Sequence, residues 1–134
     1  MSVPVIPCVG AIVTDERGRL LMIQRGHDPG AGLWSIPGGR IEPGETDAQA
    51  LAREMLEETN LQVKVGSLVG RVQRQGLGGT IIDIRDYAAA VIGGTLRAGD
   101  DAADARWVTA AELGRLEVTE GLIEALEEWG VLGR

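Results

Sequence analysis

The chain has 134 residues, 44% of them hydrophobic and 25% charged, which fits one globular domain. Its single cysteine, Cys8, excludes an intrachain disulfide and a four-cysteine zinc site. The net charge of −7 is unfavourable for binding a nucleic-acid duplex or an anionic membrane surface. We therefore expect a single domain over residues 1–134, cytoplasmic, with no signal peptide and no transmembrane helix.

The first third of the chain alternates short apolar runs with turns. The runs 9–14 and 20–24 flank a charged, glycine-containing turn, which predicts a β-hairpin. Residues 26–32 contain three glycines and a proline and predict a loop. Residues 33–36 predict a brief strand that ends at Pro37.

A helical period begins at Thr46, which forms a capping box with Gln49. Asn60 provides a left-handed end. The predicted buried stripe of this helix consists of Ala48, Leu51, Ala52, Met55 and Thr59.

The second half of the chain predicts two long strands and two helices. Residues 61–72 and 80–96 are rich in β-forming residues and are joined by a glycine-rich hairpin at 75–79. An acidic loop at 100–104 precedes a short strand at 106–108, a capped helix that opens at Thr109, and a last helix from Thr119. This order predicts an α/β or α+β fold with helices packed on a sheet.

The first helix concentrates negative charge on one face. Glu54, Glu57 and Glu58 project within an arc of about 100°. Their repulsion costs a few tenths of a kcal/mol per pair, and a hard divalent cation with oxygen ligands would reverse its sign. Arg53 lies four residues before Glu57 and can hold that carboxylate. The alternative is a solvated acidic surface.

The residues around this helix form one continuous pattern that resembles the Nudix hydrolase signature, G-x5-E-x7-R-E-U-x-E-E-x-G-U, where U is apolar. The matching positions in segment 39–61 are Gly39, Glu45, Arg53, Glu54, Met55, Glu57, Glu58 and Leu61. Asn60 stands where the signature has its final glycine. Because asparagine tolerates the left-handed conformation, we expect the helix to close and the activity to persist.

The resemblance extends over roughly residues 9–108 and implies an α/β/α sandwich around a mixed β-sheet. It also implies hydrolysis of a nucleoside diphosphate linked to another moiety, with Mg²⁺ or Mn²⁺ as cofactor. The implied metal ligands are Glu54, Glu57, Glu58 and the Gly39 carbonyl. Arg53, Glu54 and Glu57 are the implied catalytic residues, and Glu45 supports them.

The resemblance leaves the general base open between Glu54 and an acid of the late loop. The loop acids are Asp100, Asp101 and Asp104, for which a solvated turn is the alternative interpretation.

Four residues are candidates for contacting the substrate. Arg25 and Arg40 are candidates for binding phosphate, and Trp34 and Tyr87 for stacking on a base. Exposed arginines and buried rings are the alternatives. The layout resembles the bacterial ADP-ribose pyrophosphatase-like branch; a hydrolase that removes damaged nucleoside triphosphates and a non-catalytic nucleotide-binding module are the other options. The expected partner is a small-molecule nucleotide. The resemblance also suggests that the chain forms a homodimer.

Overall fold

The computed structural model describes residues 3–28, 30–99 and 102–132. The strands are β1 (Val5–Ile12), β2 (Leu20–Arg25), β3 (Trp34–Ser35), β4 (Gly38–Arg40), β5 (Leu61–Gln75), β6 (Ile81–Gly94) and β7 (Ala102–Val108). The helices are α1 (Asp47–Thr59), α2 (Ala110–Leu113) and α3 (Leu122–Glu128), with a 3₁₀ turn at Leu77–Gly79. Within these described ranges, no helix is long and apolar enough to cross a membrane.

The strands form two sheets. Sheet A has the order β4-β1-β6-β5 and is mixed, because β1 and β6 run parallel whereas the other pairs are antiparallel. Sheet B has the order β3-β2-β7 and is antiparallel. One hydrophobic core lies between α1 and sheet A, and a second packs sheet B against α2 and α3. The expected mixed sheet with helices packed on it is confirmed.

The predicted β-hairpin of runs 9–14 and 20–24 forms only next to its turn, where Thr14 and Leu20 make an antiparallel bridge. The turn exists, because the Asp15 N–H donates to the Arg19 carbonyl at 2.9 Å and the Leu21 N–H donates to the Val13 carbonyl at 2.9 Å. Beyond it, the two strands part into different sheets. Both edges of β1 are already paired, with β4 and β6, so β2 finds its partners in sheet B.

Helix α1 buries a different stripe from the predicted one. Its buried residues are Ala50, Leu51, Met55, Glu58 and Thr59. Ala48 and Ala52, predicted on the buried stripe, are exposed instead. The helix contacts β4 and β1 as well as β5, and this packing turns Ala50 and Glu58 inward.

Both predicted ends of α1 are confirmed. Thr46 and Gln49 form the reciprocal capping box at its start. Asn60 adopts φ 62° and ψ 18°, and its N–H donates to the Leu56 carbonyl. Its side-chain amide also donates to the Thr95 carbonyl at 2.9 Å, which ties the helix end to the segment after β6. Asparagine therefore performs the closure that the signature assigns to glycine.

The segment 95–99 caps the carboxyl end of α1. The Arg97 N–H donates to the Thr59 carbonyl at 2.9 Å, and the Gly99 N–H donates to the Glu58 carbonyl at 2.8 Å. A Cβ on Gly99 would collide with the backbone carbonyl of Glu57. No local pattern predicts this contact, because the partners are about forty residues apart along the chain.

Two boundaries in the last third differ from those predicted. Strand β7 begins at Ala102, so Asp104 lies in a strand and not in the acidic loop. Helix α3 begins at Leu122, with Gly121 as its N-cap, rather than at Thr119. The Thr109 capping box is confirmed. Strand pairing of β7 with β2 extends the strand backwards from the predicted 106–108.

The contact between Gly99 and α1 makes a stability prediction. Gly99→Ala should lower the free energy of unfolding by about 1–3 kcal/mol, because the added methyl group forces backbone apart. Gly114→Ala is the matched control: Gly114 has φ −65°, and its Cβ would meet only ordinary contacts. That control should leave stability unchanged or raise it by about 0.4–1 kcal/mol. Urea unfolding measures both, and equal effects would contradict the contact.

Candidate active site

Arg53 is the centre of a carboxylate cluster on the solvent side of α1. Its guanidinium donates twice to Glu45, at 2.8 and 3.0 Å. It also donates to Glu54 at 2.9 Å and to Glu57 at 3.2 Å. One further N–H reaches the Arg40 carbonyl on β4 at 3.0 Å. The planar, multidentate guanidinium thus fixes three carboxylates relative to one strand.

Glu45 is the strongest partner of Arg53. Hydrogen bonds from the Arg53 side chain, followed by one from the Glu42 N–H, lower the pKa of Glu45 to about 2. The pairing in turn raises the pKa of the Arg53 guanidinium above its usual value. Glu45 therefore stays ionised at any working pH, and its bidentate bond orients Arg53.

Glu54 and Glu58 also contact the glycines of β4. Glu58 is buried, at 7% exposure, and its Oε1 accepts a hydrogen bond from the Gly38 N–H at 2.8 Å. The Glu54 carboxyl lies against Gly39, where a Cβ would collide with it. Glycine at these two positions lets α1 approach the strand closely enough for carboxylate oxygens and backbone to meet.

The donor set fits a hard divalent cation. Glu45, Glu54, Glu57 and Glu58 bring four carboxylates to one side of α1, and Arg53 is the cation hydrogen-bonded to three of them. Oxygen ligands and surplus negative charge suit Mg²⁺ or Mn²⁺. Across residues 3–28, 30–99 and 102–132, no three acidic, histidine or cysteine side chains converge on one point as a formed metal site. The carboxylates instead point towards Arg53 and Gly38.

The candidate phosphate-binding arginines lie on β2 and β4. The charges of Arg40 and Arg25 both act on the half-buried thiol of Cys8, in β1. Burial is the larger effect and raises the pKa of Cys8. Arg40 also lends its carbonyl to Arg53. Contact of either arginine with phosphate stays a prediction.

The two candidate stacking rings have other contacts. Trp34 is buried in the second core, and the Arg106 guanidinium lies 5.0 Å from its ring centre. The Tyr87 hydroxyl donates a short hydrogen bond to Asp47, at the start of α1. Arg85 donates to the same carboxylate at 2.7 and 3.0 Å. Stacking of either ring on a substrate base stays a prediction.

This anchor of α1 was missed by sequence reasoning. Asp47 is the first residue of α1, and both its partners, Arg85 and Tyr87, lie on β6. An acidic residue in a first helical turn is an ordinary signal of dipole compensation. That signal does not predict a partner about forty residues away along the chain. The contact binds the start of α1 to sheet A, as Glu58 binds its end.

Of the acidic residues that are candidates for the general base in the late loop, the structure describes Asp104. Asp104 accepts hydrogen bonds from the Ala105 N–H at 2.8 Å and from Arg106 Nε at 2.9 Å. Asp100 and Asp101, the other candidates for the base or an extra ligand, lie outside the described residues. Gly99, which precedes them, donates to the Glu58 carbonyl.

Comparison with known proteins identifies the family. The NUDIX domain profile matches residues 4–129. The chain belongs to the Nudix hydrolases, which are pyrophosphohydrolases of nucleotide anhydrides. It is 36% identical over 129 residues to an ADP-ribose pyrophosphatase of Methanocaldococcus jannaschii, covering 94% of this chain and 75% of that protein. It is 45% identical over 113 residues to a putative 8-oxo-dGTP diphosphatase 2 of Mycobacterium tuberculosis, covering 81% and 75%.

Solved structures agree with this Nudix assignment. The solution structure of the Escherichia coli ORF135 protein matches with a TM-score of 0.75 and 32% identity, covering 94% of this chain and 91% of that one. The crystal structure of a MutT protein from Methanosarcina mazei Go1 matches with a TM-score of 0.85, covering 96% and 95%. At 23% identity, the second match supports the fold alone. The Nudix fold expected from the signature is thus confirmed.

The Glu45–Arg53 pair gives this Nudix domain a defined acid response. Because the pKa of Glu45 is lowered, the stability that it adds is complete above about pH 4.3, the pKa of an unfolded glutamate. That stability is lost as pH falls through about 2. Glu45→Gln should therefore lower Tm at pH 7, with a difference that shrinks below pH 4 and vanishes near pH 2. A Tm difference that is constant with pH would contradict the pairing.

Proposed function

We propose that this Nudix hydrolase cleaves the pyrophosphate bond of a nucleoside diphosphate linked to another moiety, with Mg²⁺ or Mn²⁺ as cofactor. The observation that supports it is the Arg53 cluster, in which one guanidinium holds Glu45, Glu54 and Glu57 beside the glycines of β4. A folded domain gains little from gathering surplus carboxylates, whereas a cation site requires them.

In this proposal Glu54, Glu57, Glu58 and the Gly39 carbonyl hold the ion. A bound divalent cation would stabilise charge on the phosphoryl oxygens and lower the pKa of an attacking water. It would also offset the repulsion between an anionic substrate and a protein of net charge −7.

The remaining residues of the cluster have positioning roles. Glu45 fixes the guanidinium of Arg53, and Arg53 orients Glu54 and Glu57 towards the surface that faces substrate. Arg25 on β2 and Arg40 on β4 would receive the phosphates. Hydrogen bonds within the folded chain support the roles given to Glu45 and Arg53.

We favour Glu54 as the general base over Asp104. Glu54 lies against Gly39 and is held by Arg53, inside the cluster. Asp104 lies in β7 and binds Arg106 on its own strand. Asp104→Asn should therefore change kcat by less than about threefold, an activation difference of roughly 0.7 kcal/mol. A loss of 100-fold or more in a steady-state assay would instead assign the base to Asp104.

The substrate has two candidates, each favoured by a relative. The Methanocaldococcus relative is named an ADP-ribose pyrophosphatase, and the Mycobacterium relative a putative 8-oxo-dGTP diphosphatase. A panel of ADP-ribose and nucleoside triphosphates, with and without Mg²⁺ or Mn²⁺, separates them by phosphate and product analysis. Cleavage of triphosphates with ADP-ribose untouched would remove the first candidate. No cation-dependent cleavage of any member would leave a binding module.

The metal-site proposal is tested at Glu57. Glu57→Gln should reduce cation-dependent hydrolysis by about 100-fold or more, equivalent to at least about 2.7 kcal/mol of activation free energy. It should also abolish the rise in Tm that Mg²⁺ causes in the unmodified protein. Glu127→Gln, at an exposed position of α3, is the matched control and should change neither. Undiminished turnover by the Glu57 variant would show that α1 is not the metal site.

A further inference from the structure

Among the described residues, one carboxyl group has a buried oxygen without a hydrogen-bond partner. Asp86, on β6, is 3% exposed, and its Oδ1 is the buried side-chain atom that lacks a hydrogen bond among the described residues. Burying an unpaired carboxyl group is costly, and proteins rarely retain one without a use. The mechanism proposed above does not employ it.

Asp86 points to the face of sheet A opposite α1. Its neighbours Arg85 and Tyr87 both contact Asp47 on α1, and side chains alternate along a strand. Asp86 pairs with Gly10 on β1 and with Gly70 on β5. The carboxyl therefore stands between two positions that carry no side chain.

These glycines make room for the carboxyl and its apolar surroundings. A Cβ on Gly10 would collide with Asp86 Oδ1 and press on the Ile36 side chain at 3.2 Å. A Cβ on Gly70 would collide with the indole ring of Trp129. Ile36 and Trp129 thus border the carboxyl on its two sides.

The same face of the sheet continues into a half-buried apolar surface. One pair further along the strands, Cys8, Ile84 and Val72 lie side by side on β1, β6 and β5. All three are half-buried. A flat heterocyclic ring could pack on such a surface with its polar edge towards Asp86.

This surface adjoins the proposed metal centre. Gly38, whose N–H binds Glu58, pairs with Gly10, and Gly10 pairs with Asp86. Two strand spacings separate β4 from β6, about 10 Å. Because β4 is the edge strand of sheet A, a nucleotide with its phosphates at the cluster of α1 could pass around this edge and place its base beside Asp86 on the opposite face.

We propose that Asp86 binds the exocyclic amino group of the substrate's nucleobase and so selects amino-bearing bases over their oxo counterparts. The proposal rests on the proposed function, since it takes its ligand to be a nucleotide. A carboxylate oxygen accepts an amino N–H but repels a carbonyl oxygen at the same place. Because Asp86 is nearly fully covered, the contact requires the half-buried Ile36 to turn aside.

The ionisation of Asp86 is compatible with this role. Burial raises the pKa of Asp86 to about 6, against a smaller opposing effect of Arg74. At pH 7.5 the group is therefore mostly ionised and accepts hydrogen bonds.

The experiment compares matched nucleotides on the full chain with Mn²⁺ at pH 7.5. The pairs are CTP with UTP, GTP with XTP, and ADP-ribose with its inosine counterpart. For the pair that contains the cleaved substrate, kcat/KM should favour the amino form by about 10- to 100-fold, the range for one hydrogen bond to a charged group. Asp86→Asn should reduce this ratio to about threefold or invert it, because the amide can donate to an oxo group. The change should appear in KM, with kcat retained.

Asp83→Asn is the matched control on the same strand. Asp83 is buried too, but it binds Arg71 at 2.8 Å through both oxygens and shares its face with Arg85. Its loss should lower Tm and leave the amino-to-oxo ratio unchanged. Asp86→Asn should not lower Tm, because it removes an unpaired charge.

Binding without turnover separates this inference from the proposed function. The affinities of CMP with UMP, and of GMP with XMP, can be measured by calorimetry in the unmodified protein and the Asp86 variant. A selectivity that Asp86→Asn removes supports the inference even if no substrate is hydrolysed. Hydrolysis with the same ratio in both proteins overturns the inference and leaves the proposed function standing. A failure to bind or cleave any nucleotide overturns both.

Discussion

The hydrogen bonds of the Arg53 guanidinium set the orientation of the carboxylates in the site. One guanidinium holds Glu45 through two bonds and reaches Glu54, Glu57 and a carbonyl of β4 with its remaining N–H groups. Without it, a short helix end would carry carboxylates that repel one another by a few tenths of a kcal/mol per pair. With it, the carboxylates are oriented, yet negative charge still exceeds positive charge. That surplus is the property that a divalent cation can use.

The position of α1 on sheet A makes the cluster a fixed object. Asp47 holds the start of the helix to β6 through Arg85 and Tyr87, and the Gly38 N–H holds Glu58 near its end. The segment 95–99 then satisfies the last carbonyl groups. A helix fastened at both ends over thirteen residues presents its acids at a constant distance from the strand that carries Gly39. Such rigidity is what ordered ligands require.

Glycines of β4 and β1 connect this cluster to the opposite face of sheet A. Gly38 and Gly39 let the carboxylates of α1 touch the strand, and Gly10 leaves room for the buried carboxyl of Asp86. These glycines therefore lie between two acidic environments that differ in their partners and in their exposure to solvent. On one face the acids are paired with Arg53 and partly solvated; on the other, a single acid is enclosed by apolar groups.

Features that depend on near neighbours along the chain could be predicted from the residues alone: the capping boxes at Thr46 and Thr109, the left-handed end at Asn60, and the identity of the acids around Arg53. These follow from local hydrogen bonding and from the period of the helix. Three features emerged only in the folded chain: β1 and β2 part into different sheets, Ala50 and Glu58 rather than Ala48 turn inward, and Asp86 is enclosed. Those outcomes depend on which strand edges are already paired and which distant residues meet, and local patterns carry no record of either.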